Sequence, residues 1–105
     1  MPSIGKTTFA EDILEVANGE PIEAISVSPN RRWFIGEADH ELGPGPVAWE
    51  QALPALSYYY CHNGGFGGQD CHNFHAWTAT RVLFVHEYDG STYIISVPRN
   101  PQAFQ

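Results

Sequence analysis

Residues 82–97 read Val-Leu-Phe-Val-His-Glu-Tyr-Asp-Gly-Ser-Thr-Tyr-Ile-Ile-Ser-Val, and their pattern decides the fold. Two runs rich in β-branched and aromatic residues, 82–88 and 91–97, flank Asp89-Gly90, a dipeptide suited to the positive φ angles of a two-residue hairpin turn. Pairing about that turn sets Val82 opposite Val97, Phe84 opposite Ile95 and His86 opposite Tyr93 on one face. Val85 opposite Ile94 makes the second face apolar too, so the hairpin belongs in the middle of a sheet. Pro98 and Pro101 then end the pairing.

Upstream, a strand is expected over 72–79, and from 56 the alternation continues with Leu56, Tyr58, Tyr60 and His62 on one face. Between them lies Gly64-Gly65-Phe66-Gly67-Gly68. Folding 56–62 back on 71–77 about this loop would set Cys61 opposite Cys71. Residues 22–28 read as a further strand, Pro29-Asn30 as a turn, and 32–35 (Arg-Trp-Phe-Ile) as a return strand. Residues 36–46, with three glycines and two prolines, form a loop.

Two helices complete the set. Thr8 followed by Glu11 has the spacing of a capping box. Phe9, Ala10, Ile13, Leu14, Val16 and Ala17 recur at helical spacing, with Glu11, Asp12 and Glu15 on the wet side. Asn18-Gly19 supplies the stop, which gives a helix over about 8–18. A second helix is expected from Pro46, with Trp49, Ala52, Leu53 and Leu56 on one side, ended or kinked at Pro54. The sum is a single α+β domain over 1–105: a mostly antiparallel sheet of five or six strands with two short helices packed on one face.

Composition narrows the function. Apolar content of 43%, with three Trp, five Tyr and six Phe, suits a folded core rather than a disordered segment. The net charge is −7, and residues 1–50 hold nine acidic side chains against three basic ones. Nucleic-acid binding needs a basic stripe, and Arg31-Arg32 is the sole basic pair, so neither nucleic acid nor a membrane surface is an expected partner. No signal-like or membrane-length apolar run occurs, which points to a cytoplasmic protein. Ile4-Gly5-Lys6-Thr7-Thr8 resembles the end of a phosphate-binding loop but lacks the glycine five residues earlier.

Chemistry concentrates in residues 61–75, where both cysteines and three of the five histidines fall. Zinc accepts such ligands, and Cys61, Cys71, His72 and His75 are the candidate set. A helical turn at 70–75 would make Cys71 and His75 neighbours. An extended chain would part them by roughly 13 Å, at about 3.3 Å per residue. A disulfide and a thiol nucleophile are the alternatives. In the second case a base must come from His40, His75 or His86, because Cys-His neighbours on a strand point to opposite faces. Asp70 near His62 would make a further pair. No complete catalytic constellation is visible. The leading expectation is therefore a cofactor-free binding or accessory protein. It would take a small ligand or a basic protein partner on an aromatic sheet and the glycine loop, with Tyr58, Tyr60, Phe66, Phe74, Trp77 and Tyr93 as contact residues. An open sheet edge would also allow a homodimer. The competing expectation is a zinc protein or cysteine enzyme centred on 61–75.

Overall fold

The computed structural model describes residues 3–4, 7–30, 39–63, 71–88 and 91–100, with backbone alone at 3–4, 61–63 and 88. The expected strand at 32–35, the glycine loop with Phe66, Asp70 and the Asp89-Gly90 turn lie outside these residues. In chain order the elements are β1 (Ser3–Ile4), α1 (Phe9–Ala17), β2 (Ala24–Val27), α2 (Trp49–Leu56), β3 (Cys61–Asn63), β4 (Phe74–Trp77), β5 (Arg81–Tyr88) and β6 (Ser91–Pro98). The fold is α+β: an antiparallel sheet and two helices.

The hairpin forms in the register its side chains dictate. Val82 faces Val97, Phe84 faces Ile95, Val85 faces Ile94 and His86 faces Tyr93. The strand order is β1-β3-β6-β5-β4-β2, which places the hairpin at the centre. Four strands of four residues or more, β2, β4, β5 and β6, carry the sheet. The other two, β1 and β3, are two- and three-residue strands, and among the described residues β3 meets β6 at one pair, Asn63 with Ser91. The expected sheet of five or six strands is thus a four-strand sheet with a short appended margin.

Two local expectations fail for identifiable reasons. The strand expected from 56 forms only at Cys61–Asn63, because α2 runs through Pro54 to Leu56 and residues 57–60 join no ladder. Proline removes one N–H and crowds the preceding turn, yet the last turn holds, with the Ser57 hydroxyl donating to the Leu53 carbonyl at 2.7 Å. Nor do residues 56–62 and 71–77 pair with each other. β4 has both edges occupied, by β5 through a three-residue connection and by β2, while β3 pairs with β1 and β6. Cys61 therefore does not sit across a ladder from Cys71. The second helix also begins later than Pro46. Val47 instead exchanges two backbone hydrogen bonds with Ile25, at 2.9 and 2.8 Å, and covers the outer edge of β2.

The first helix starts where its cap requires. Thr8 Oγ1 accepts from Glu11 N–H at 3.1 Å, and Glu11 Oε1 accepts from Thr8 N–H at 2.9 Å. Asn18 closes it in the left-handed region at φ 53°. Phe9, Ala10, Ile13 and Ala17 enter one core with Ala52 and Leu56 of α2 and with Ile25, Val27, Phe74, Ala76 and Leu83 of the sheet. Leu14 is 43% exposed, off the apolar stripe expected of it. Asp12, expected on the wet side, is half-buried and accepts from Tyr60 Oη at 2.7 Å and from the Thr7 hydroxyl.

Candidate functional site

The rings expected to form one binding surface divide between two layers. Tyr58, Tyr60 and Phe74 gather about Phe9, with ring centroids 5.6, 4.9 and 5.5 Å from it, the first stacked and the others edge-on. Tyr60 and Phe74 are almost fully buried, and Tyr58 is half-buried. These rings fill the core. Alternation along β4 turns Trp77 to the opposite sheet face, beside His75 at 6.4 Å between centroids. Tyr93 stands on that same outer face at 51% exposure, in a layer with Val82, Phe84, Ile95 and Val97. Phe66 lies outside the described residues.

Among the described members of the expected zinc set, Cys71 and His75 are likewise not brought together. Cys71 is buried in the core, His75 is exposed on the outer face, and the Cys61 side chain is outside the described residues. Because β4 is extended from Phe74, the helical turn that would have joined Cys71 to His75 is absent there.

His72 is different. It is 1% exposed, and both ring nitrogens are held. Nε2 lies 2.7 Å from Asp39 Oδ1, and Nδ1 lies 2.9 Å from Tyr58 Oη. That hydroxyl also accepts from the His72 backbone N–H at 2.9 Å. Beside it stands His40, with ring centroids 5.2 Å apart. Leu42 N–H points at His40 Nδ1 at 3.2 Å, so that nitrogen carries a lone pair, and the proton sits on Nε2, which donates to the Ser28 carbonyl at 2.6 Å.

The β2–β4 ladder builds this arrangement. Beyond Val27 and Phe74 the pairing continues, with Ser28 N–H bonded to the Asn73 carbonyl at 2.9 Å and Asn73 N–H bonded to Ser28 Oγ at 3.0 Å. The ladder carries His72 to the Ser28 carbonyl that anchors His40. Among the described residues, Asp39, His40 and His72 are the group whose ligand atoms all lie within 4.8 Å of one another. Sequence reasoning had His72, and His40 only as a base for a thiol. Asp39 escaped it, since 33 residues separate it from His72 and no spacing motif spans that gap.

Two recesses flank the same place. One, of about 480 Å³, is lined by residues that include Ser26, Ser28, Asn73, Phe74, His75 and Phe84. The other, of about 400 Å³, is lined by Pro29, His40, Glu41, Gly43 and Pro44. Pro29 and Pro44 border both. Among the described residues no helix is long and apolar enough to cross a membrane. Compared with protein-family models, curated proteins and solved structures, the chain matches none.

Proposed function

We propose that this chain is a binding protein that takes a small organic molecule in the larger recess. The observation that carries the reading is the recess itself. Its 480 Å³ falls in the range of about 300–1,000 Å³ common to small-molecule sites. Phe84 and Val85 offer partly exposed apolar walls, Val27 and Phe74 border the recess although almost fully buried, and Ser26, Asn73 and His75 offer a few polar contacts. None of its described lining residues carries a carboxylate, in a chain of net charge −7. A neutral or anionic ligand with a flat apolar body suits such walls better than a cation. Tyr58, Tyr60 and Phe74 pack about Phe9 and leave no ring cage for a cation among them. A single domain with its site at one end of the sheet is the organisation this reading implies.

The test uses 8-anilinonaphthalene-1-sulfonate, an aromatic anion whose fluorescence rises in apolar sites. One saturable site per chain is expected. Ser26→Trp, which fills the recess, should abolish it, and Tyr93→Ser, on the far part of the same face, should leave it unchanged. Binding that is non-saturable, or unaltered by Ser26→Trp, would refute the proposal.

A further inference from the structure

We propose that Asp39, His40 and His72 form a zinc-type site, holding a borderline divalent cation through one carboxylate oxygen and one nitrogen of each imidazole. The inference is independent of the ligand reading above. Zinc binds neutral imidazole at about 2.0–2.1 Å and carboxylate oxygen at about 2.0–2.2 Å, in tetrahedral geometry.

The separation of the two rings is compatible with that requirement. A zinc ion at this bond length lies about 3.2 Å from an imidazole centroid, so two tetrahedrally disposed rings have centroids about 5.2 Å apart. The observed separation is 5.2 Å. The donor atoms lie within 4.8 Å of one another, so the wider pairs must close toward the tetrahedral spacing. Tetrahedral donors stand about 3.3 Å apart, so the Asp39–His72 contact of 2.7 Å must open by about 0.6 Å. The Asp39 side chain stands at the surface, 38% exposed.

Each ring also has the outer support that metal-bound histidines use, a second nitrogen fixed by a protein oxygen. His40 is already in the required tautomer. Its Nε2–H is tied to the Ser28 carbonyl, and a cation would take the Nδ1 lone pair in place of Leu42 N–H, which now donates to it at 3.2 Å and would have to turn aside. For His72 one proton changes place. Nε2 gives up the proton it shares with Asp39, and the proton of the bound imidazole sits on Nδ1, donating to Tyr58 Oη. Three protein donors leave a fourth position, the pattern of a zinc site open to water or a small ligand. His40 itself lines the 400 Å³ recess where that ligand would enter.

The experiment is a titration of metal-free protein with Co²⁺, followed by its visible absorption, and then competition with Zn²⁺. Expected is one ion per chain, a tetrahedral cobalt spectrum, and displacement by zinc. His72 is buried, and its loss threatens the fold, so the deciding variants are Asp39→Ala and His40→Ala with far-ultraviolet circular dichroism unchanged. Each should weaken zinc binding by more than about 100-fold, beyond what loss of an outer-shell partner costs. His86→Ala, an exposed histidine on β5, should keep parental affinity. Absence of binding by the parent chain, retention of affinity in the Asp39→Ala/His40→Ala double variant, or loss of binding in His86→Ala would each overturn the assignment.

Discussion

Tyr60 shows how one hydroxyl ties a helix to the core. Burial first, and then its hydrogen bond to Asp12, hold its phenol well above the usual tyrosine range. A folded-state value raised above the unfolded one of about 10 means that the folded chain keeps its proton longer. The contribution is fully present below pH ~10 and is lost as pH rises beyond it. Resistance of the parent to urea should therefore fall above pH ~10, and Tyr60→Phe should flatten that decline while lowering neutral-pH stability by about 1–2 kcal/mol. Thr92 gives the opposite case. It is 5% exposed, and its Oγ1 has no hydrogen-bond partner among the described residues. Thr92→Val should raise stability by about 1 kcal/mol in the same assay, because it removes a desolvated, unbonded hydroxyl. A neutral or negative result would mean that the hydroxyl is satisfied by solvent.

At the scale of elements, α1 and α2 differ in how their ends are secured. Thr8→Ala removes half of a reciprocal cap and should cost about 1 kcal/mol, read as a lower midpoint of thermal unfolding. Pro54 lies inside α2, two residues before its end. Pro54→Ala restores an N–H and relieves crowding, so the midpoint should rise by the equivalent of about 1–3 kcal/mol. A fall would show that the proline's restriction of the unfolded chain outweighs both gains. These elements also mark what could be read from sequence. The cap, the left-handed stop at Asn18 and every hairpin pair are local patterns, written within a few residues. The segment 57–60 kept the alternation its residues suggested, with Tyr58 and Tyr60 against Phe9 and Tyr59 at 57% exposure, but without a ladder. A period of two records which side chains are wanted inside. It does not record whether a partner strand is available, and here Phe9 N–H takes the Tyr58 carbonyl at 2.7 Å.

Across the whole molecule, what was hidden is what depends on strand order. The glycine-flanked arms look like a hairpin in sequence, yet β3 and β4 stand apart with β6 and β5 between them. The same order makes the Asp39–His40–His72 group, since pairing of β2 with β4 joins chain regions that no motif links. Truncating the centre of this arrangement tests how far the sheet acts as one body. Leu83 is fully buried on the middle strand, and Leu83→Ala should cost about 2–5 kcal/mol, seen as a cooperative shift in the urea midpoint.

The margin beyond β6 has its own kinetics. Among the described residues β3 meets β6 at a single pair, and β1 leans on β3 with an irregular register. The ladder between β5 and β6 runs for eight pairs. In native-state hydrogen–deuterium exchange the amides of β1 and β3 should trade their protons through small, frequent openings, while those of Leu83 and Ala76 wait for global unfolding. The molecule would then breathe from one side only, with its hairpin as the last part to yield.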